Sequence, residues 1–406
     1  MEIKQVCGGV CAPRGFLASG IHAGIRKNKM KKDLALIYSE VPCNAAAVYT
    51  KNKVFGAPII VTRRNIADGH AQAIVCNSGN ANTCNADGLE KAELMGDLAA
   101  RELHLQPQDM IVSSTGVIGL PLKIEPIAQG LPSLVAALSK DGGHDAAQAI
   151  MTTDTRPKEM AVEFTIDGKP CRIGAIAKGS GMIHPNMATM LCFITTDVNI
   201  APGMLHAALK FAIEDSFNMV SIDGDTSTND MVAILASGLA GNSVIDKESS
   251  QFAAFSEALR QLTMQMARKI AGDGEGATKL LECQVKNAPN ISLAKKIAKS
   301  IISSSLTKAA MFGSDANWGR ILCAIGYTEG DFRVDNINVS FSSAKGCVQV
   351  CREGMGIAFS EEDAKMILLE PEITIIIDMQ QGDASATAWG CDLTYDYVRI
   401  NGDYRT

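Results

Sequence analysis

The sequence predicts a mixed α/β fold in which strands and helices alternate without a regular βαβ order. Several short runs alternate apolar and polar residues, as a half-buried strand does. Other stretches carry apolar residues three or four positions apart, which is typical of an amphipathic helix. Two alternating runs are joined by the turn dipeptide Asp167-Gly168, which favours an antiparallel hairpin. The sheets should therefore be mixed or antiparallel.

The individual elements follow in chain order. In the first half, we predict strands at 72–76 and 110–112, a helix opened by Asp87, and a hairpin of strands at 160–166 and 173–177. In the second half, we predict a strand from Thr189, a helix from Pro202 to about Asn218, a helix over 250–271 closed by Gly272, a helix over 292–303, and strands at 336–341, 347–351 and 373–378. The pattern restarts near residue 285, so we predict a catalytic domain over 1–285 and a C-terminal domain over 286–406.

Composition narrows the function classes. The chain has 406 residues, of which 47% are hydrophobic, and a formal net charge of −6, which argues against nucleic acid as the main partner. No apolar stretch approaches the ~20 residues of a membrane helix, so no membrane partner is expected. Twelve cysteines without a CxxC pair indicate reduced, mostly buried thiols rather than disulfides or zinc, and a cytoplasmic location.

The segment that ends at Thr189 carries the most specific chemistry. A loop containing Gly179, Gly181 and Pro185 leads through the small Ala188 into a β-branched run that begins with the Thr189 hydroxyl. Cleavage before Thr189 would give an N-terminal amine with a pKa of about 7.7–8.0, which could act as the base for its own hydroxyl. A threonine at the start of a strand is also ordinary, so the local pattern leaves both interpretations open.

Other candidates have similar alternatives. Thr115 and Gly116 follow a strand and could present donors to an oxyanion, or they form a polar turn. Lys178 ends an apolar strand and could pair with a carboxylate, or it is a surface lysine. Glu275 lies in the glycine-rich stretch 272–276, where a carboxylate repels phosphate and attracts an amine.

Two further features favour structural roles. Asp223, Asp225 and Asp230 alternate as ligands of calcium or magnesium do, but the EF-hand glycine and closing glutamate are missing. We therefore interpret this loop as a source of hydrogen bonds and predict no metal. His184 precedes Thr189 closely enough to suggest a base, but a threonine with its own amine does not need one.

The run KGSGMIHPNMATML at 178–191 resembles the signature of the ornithine acetyltransferase (glutamate N-acetyltransferase) family, whose members are self-processing N-terminal-threonine acyltransferases. Seven further segments match in the family's order, at 12–20, 77–82, 113–119, 152–155, 223–230, 317–320 and 401–406. The resemblance implies a layered α-β-β-α sandwich and autocatalytic cleavage between Ala188 and Thr189. It also implies transfer of acetyl from N2-acetylornithine to glutamate through acetyl-Thr189, in arginine biosynthesis.

The resemblance also implies roles for individual residues. Thr115 and Gly116 would stabilise the oxyanion, and the substrate contacts would come from Thr152, Lys178, Thr189, Glu275, Asn401 and Thr406. Without it, the last residues would be expected to fray. Gly402 stands where the family usually has alanine, a change that loosens the tail.

No metal or organic cofactor is implied, although some family members use acetyl-CoA as an acetyl donor. The expected partners are the small-molecule substrates and the chain's own cleaved fragment, with fragments 1–188 and 189–406 assembled as a heterotetramer of two α and two β chains. Two alternatives remain. One is an aminopeptidase or amidase of the same self-processing architecture, and the other is an uncleaved binding or structural protein.

Overall fold

The structure, a computed structural model, describes residues 2–184 and 190–402. The strands in these residues are β1 (Lys4–Val6), β2 (Phe16–Ile21), β3 (Leu34–Tyr49), β4 (His70–Asn77), β5 (Met110–Ser114), β6 (Lys158–Ile166), β7 (Lys169–Lys178), β8 (Leu191–Thr196), β9 (Val220–Ser221), β10 (Met231–Ala236), β11 (Leu280–Ala288), β12 (Asn338–Ser343), β13 (Gly346–Arg352), β14 (Met355–Gly356), β15 (Glu372–Asp378) and β16 (Ala384–Cys391). The α-helices are α1 (Ala57–Asn65), α2 (Gly88–Leu103), α3 (Glu125–Ala136), α4 (Gly143–Ala149), α5 (Pro202–Glu214), α6 (Ser250–Ala271), α7 (Ile291–Ser303), α8 (Ser305–Phe312), α9 (Trp318–Gly326), α10 (Glu361–Leu368) and α11 (Tyr395–Gly402).

The chain forms two compact units. The first contains the described residues of Met1–Gly179, Asn186–Phe217 and Thr226–Met266, and the second contains those of Ser180–Pro185, Asn218–Asp225 and Ala267–Thr406. Each unit has its own sheet. The mixed α/β prediction is confirmed, because both sheets combine parallel and antiparallel pairs. Residue 285 lies inside β11, and the predicted domain boundary there stays a prediction.

The sheet of the first unit has the strand order β1-β6-β7-β8-β10-β3-β4-β5, with β2 also paired to β3. Strand β3 is shared by two halves of this sheet. Its first part pairs with β2 and β4, its last part pairs with β10, and the register with β4 shifts between Tyr38 and Cys43. Such an irregularity lets a long strand bend, so one strand serves both halves.

Alternate residues of β3 contribute to two different hydrophobic cores. Leu34 and Leu36 pack with residues of α2 and α3, whereas Ala35 and Ile37 join a cluster that also contains residues of β7, β8 and β10. The two halves of the sheet therefore face each other across this second cluster. Helix α5 packs against β3 and contributes no residue to that cluster. The layering of helix, sheet, sheet and helix expected from the resemblance is found within the first unit.

The sheet of the second unit has the order β14-β13-β12-β15-β11-β16-β9. Helix α7 packs on β11 and β16, and α10 packs on β12 and β13. Strand β9 is only two residues long, yet it closes one edge by pairing Val220 and Ser221 in parallel with β16. This short strand comes from the middle of the chain, far in sequence from its partner.

Most predicted elements are confirmed with small shifts at their ends. The predicted strands at 72–76 and 110–112 lie within β4 and β5, and the predicted helix over 250–271 is α6. Helix α5 ends at Glu214 instead of about residue 218. Ser216, just beyond it, bonds the Ala212 carbonyl through its hydroxyl, a local bond that favours ending a helix.

Seven of the twelve cysteines are buried and four are exposed. Burial raises the pKa of Cys43 and of Cys76 to about 12, so both are neutral thiols that pack as small apolar side chains. None of the helices within residues 2–184 and 190–402 combines the length and apolarity that crossing a membrane requires.

Candidate active site

Lys178 lies at the end of β7, in the first unit, and only 7% of the residue is exposed. Its ammonium donates to the hydroxyl of Thr152, with Nζ 3.1 Å from Oγ1. Burial lowers the pKa of Lys178, while the carboxylates of Asp154 and Asp230 act in the opposite direction. The structure thus brings together two of the residues predicted as substrate contacts, and it makes Lys178 a buried cation rather than a surface lysine.

Asp154 fixes the backbone on both sides of this contact. Its Oδ2 accepts from the Thr152 N–H at 3.0 Å, and its Oδ1 accepts from the Gly179 N–H at 2.8 Å. The ammonium of Lys158, itself 2% exposed, lies 2.5 Å from Oδ1. Burial raises the pKa of Asp154, but Lys158, Lys178 and these hydrogen bonds lower it more, to about 2.

A second buried carboxylate, Asp230, stands at the start of β10. Its Oδ2 accepts no hydrogen bond from the residues that the structure describes. Burial raises the pKa of Asp230 well above its usual value, against the lowering effect of Ser227 and Lys178. Asp230 thus adds a second carboxyl group to the buried surroundings of Lys178.

Thr115 and Gly116 follow β5 in the same unit. The Thr115 N–H donates to the Asn77 carbonyl at 2.9 Å. Neither the Thr115 hydroxyl nor the Gly116 N–H makes a hydrogen bond with any described residue. Asn229 holds the start of this loop in place, because its side-chain amide donates to the Ser114 carbonyl at 3.0 Å. The Thr115 hydroxyl and the Gly116 N–H are thus two adjacent donors that remain available for a ligand. Donors of this kind are what the stabilisation of an oxyanion requires.

Gly116 must be glycine for two reasons. Its φ of +130° lies outside the range of other residues, and a Cβ there would stand 2.8 Å from the backbone nitrogen of Asn80. We expect Gly116→Ala to lower the free energy of unfolding by about 1–3 kcal/mol, as measured by urea denaturation. Gly119→Ala is the matched control, since Gly119 has φ of +77° but no atom within 4 Å of a Cβ. Equal losses in both variants would contradict the close-approach argument.

The second unit brings together Glu275 and Asn401. The Asn401 amide of α11 donates to the Glu275 carboxylate, with Nδ2 2.7 Å from Oε2. Glu275 is buried, and its N–H donates to the Ser180 carbonyl at 2.9 Å. A side chain at Gly181 would collide with the Glu275 carboxylate, so the glycine lets this acidic group approach the loop. Helix α11 extends to Gly402, so the C-terminal segment is helical up to that residue rather than frayed.

His184 lies in a partly buried environment, and its structural role stays a prediction. Its Nδ1 shares a hydrogen bond with the Ser221 hydroxyl at 3.0 Å. Burial and the nearby Lys299 lower the pKa of His184 to about 4, so the ring is neutral at pH 7. Asp223 accepts backbone hydrogen bonds from Ile183 and Asp225. Among residues 2–184 and 190–402, no group of three or more His, Cys, Asp or Glu side chains could hold a metal ion.

The structure thus assembles Thr152 with Lys178 in the first unit and Glu275 with Asn401 in the second. The cleavage-site residues Ala188 and Thr189, and the C-terminal Thr406, lie outside the described residues. The first described residue after Thr189 is Met190, whose carbonyl accepts from the Met231 N–H at 3.0 Å. Leu191, the next residue, pairs with Lys178 across β7 and β8.

The sequence interpretation missed the pair of Asp154 and Lys158. A signal for this pair does exist in the sequence. Along β6, every second residue belongs to the buried face, and Lys158 lies on that face together with Val162, Phe164 and Ile166. A charged lysine on the buried face of a strand requires an anionic partner that is buried with it. Asp154, four residues earlier in the segment 152–155, is the nearest carboxylate that precedes Lys158 in the sequence. No comparable signal distinguished Asp230 from its neighbours.

Comparison with known proteins agrees with the resemblance. The model of the ArgJ family matches residues 17–406. The arginine biosynthesis bifunctional protein ArgJ of Caldanaerobacter subterraneus subsp. tengcongensis is 50% identical over 407 residues, covering 100% of both chains. The protein of the same name from Symbiobacterium thermophilum is 51% identical over 406 residues, again covering 100% of both.

Among solved structures, ornithine acetyltransferase complexed with ornithine from Mycobacterium tuberculosis is 34% identical and covers 46% of this chain and 100% of its own, with a TM-score of 0.43. The family match and the full-length relatives carry the assignment, and they confirm the family inferred from the sequence motifs. The chain belongs to the ArgJ family, and it is an acyltransferase of arginine biosynthesis.

Proposed function

We propose that the chain transfers acetyl from N2-acetylornithine to glutamate through an acetyl-Thr189 intermediate, after cleaving itself between Ala188 and Thr189. The observation that carries the proposal is the buried ammonium of Lys178, which bonds Thr152 and pairs in the sheet with Leu191. A fixed, desolvated cation beside the strand that follows Thr189 suits the α-carboxylate of an amino-acid substrate. The free donors of Thr115 and Gly116 supply the second requirement of acyl transfer.

The proposed self-cleavage is an acyl shift followed by hydrolysis. The Thr189 hydroxyl adds to the Ala188 carbonyl, its proton passes to the departing amide nitrogen, and the C–N bond breaks to give an ester and a free amine. Water then hydrolyses this ester. The products are a carboxyl group on Ala188 and an N-terminal Thr189 with both its amine and its hydroxyl.

Turnover then runs in two transfers. The Thr189 amine takes the hydroxyl proton, acetyl moves from N2 of acetylornithine to the oxygen, and ornithine leaves with its amine protonated. Glutamate attacks the acetyl ester with its neutral amine and regenerates the hydroxyl. Thr115 and Gly116 stabilise the oxyanion of each step, a contribution of ~3 kcal/mol per donor.

The remaining assignments belong to the same proposal. Thr152, Lys178, Glu275, Asn401 and Thr406 contact the substrate, with the carboxylate of Glu275 suited to an amine such as that of ornithine. The reaction uses no metal or organic cofactor. The fragments remain together as a heterotetramer of two α and two β chains in the cytoplasm.

One purification and one assay test the proposal. The purified protein should run on a denaturing gel as two bands of about 20 and 23 kDa, when its 43.0 kDa is divided in proportion to length. Incubated with N2-acetylornithine, it should produce ornithine much faster when glutamate is present, with N-acetylglutamate formed in equal amount. Acetate release that is fast and indifferent to glutamate would identify an amidase instead, and a single band without turnover would contradict self-processing.

A further inference from the structure

The segment Ser180–His184, which precedes the proposed cleavage site, is held within the second unit by a series of hydrogen bonds. The Ser180 hydroxyl donates to the Asp273 carbonyl at 2.7 Å, and the Ser180 carbonyl accepts from Glu275. Three residues later, the Ile183 carbonyl accepts from the Ile222 N–H at 2.7 Å. The segment is therefore anchored at both ends, and Ser180 and Ile183 are both buried.

Asp223 completes the anchor at the end nearer to the cleavage site. Its Oδ1 accepts from the Ile183 N–H at 2.8 Å and from the Asp225 N–H at 3.1 Å. The phenol of Tyr397, in the C-terminal helix α11, also faces the Asp223 carboxylate. One side chain thus connects the segment before the cleavage site, the loop after β9 and the end of the chain.

We propose that Asp223 is a positioning residue for self-cleavage, which fixes Ile183 and thereby the direction in which the chain enters the Ala188–Thr189 bond. The inference rests on the proposed self-cleavage and assigns its geometric control to a residue outside the reacting pair. An intramolecular attack depends steeply on placement, since a displacement of about 1 Å can cost roughly 10²-fold in rate. Ile183 is five residues before Ala188 in the sequence.

The same contacts cross the point of cleavage in the sequence. Ile183 and Ser180 belong to fragment 1–188, whereas Asp223, Ile222 and Glu275 belong to fragment 189–406. The anchor therefore persists without a covalent link and holds the new carboxyl-terminal segment of the first fragment. Because the anchored peptide does not itself react, Asp223 should control the rate of processing much more than the rate of turnover after processing.

A time course of cleavage in the newly synthesised full-length chain tests this role. We expect Asp223→Ala to slow the conversion of the 43 kDa band by about tenfold to a hundredfold, while the material that has been cleaved keeps its kcat within a few-fold of the wild type. Asp223→Asn retains Oδ1 as an acceptor for Ile183, so it should cleave at nearly the wild-type rate. Asp225→Ala is the matched control, because Asp225 is exposed in the same loop and should change nothing.

Amide hydrogen exchange in the uncleaved Thr189→Ala chain gives a second test that does not depend on the folding of Asp223→Ala. The Ile183 amide should exchange slowly in that chain, and an unprotected amide would overturn the inference. Cleavage of Asp223→Ala at the wild-type rate would also overturn it, while leaving the proposed function standing. A wild-type chain that never cleaves would overturn both, and the single band would show that the proposed function had failed first.

Discussion

Replacing Thr189 with alanine should leave the purified chain as one band of 43 kDa on a denaturing gel and abolish acetyl transfer. Alanine has neither the oxygen that attacks the Ala188 carbonyl nor the one that carries the acetyl group, so processing and turnover are lost together. Removing a nucleophile of this kind typically costs ~10⁶-fold in kcat. Production of ornithine from N2-acetylornithine, followed with glutamate in excess, measures the loss.

Two control variants make this result specific. Thr189→Ser keeps a hydroxyl and should still yield two bands, with a slower reaction. Thr165→Ala removes a threonine that is exposed on β6 and should behave like the wild type. Two bands from Thr189→Ala, or turnover by its uncleaved chain, would remove Thr189 from both of its proposed roles.

Replacing Lys158 with methionine should destabilise the protein at neutral pH by about 3–5 kcal/mol, because it leaves the buried Asp154 carboxylate without its main counter-charge. Methionine keeps most of the volume of the lysine chain, so the loss reports on charge rather than packing. Urea denaturation at pH 7 measures the effect. Lys169→Met, at an exposed position at the start of β7, should change the free energy of unfolding by less than about 0.5 kcal/mol.

The pH dependence has a definite sign. In the wild type the pKa of Asp154 is about 2, below its unfolded value, so its stabilising contribution is present above pH ~4 and is lost as the pH falls towards 2. In Lys158→Met the largest counter-charge is missing, and burial should raise this pKa. The destabilisation should then shrink as the pH is lowered from 7 to about 4, where Asp154 can take up a proton. A loss that is constant with pH would indicate a packing effect instead.

Local patterns in the sequence accounted for the elements whose surroundings are simple. The hairpin of β6 and β7 was predicted because both strands alternate and Asp167-Gly168 can turn between them. The bent strand β3 was not predicted. Its stretch Val-Pro-Cys-Asn interrupts the alternation, and only pairing with distant β4 and β10 keeps these residues in one strand.

The site was predictable to the extent that its residues belong to recognisable motifs. Thr152 and Lys178 were named separately, and their contact joins residues 26 positions apart, which no local pattern encodes. The same is true of Glu275 and Asn401, which are 126 positions apart. Asp154 and Asp223 were visible as carboxylates, but their purpose depends on which backbone N–H groups they meet. Partners of this kind are set by tertiary structure.

The second unit is built from three separate segments of the chain, and this limits how proteins of this family can change their architecture. Its edge strand β9 and the segment before the cleavage site both come from the middle of the chain, so the chain passes between the units repeatedly. Gene fusion or shuffling could not transplant the second unit as one continuous segment, because a break after Met266 separates Ser180–Pro185 and Asn218–Asp225 from the rest of that unit. Such interleaving ties the inheritance of the two sheets together.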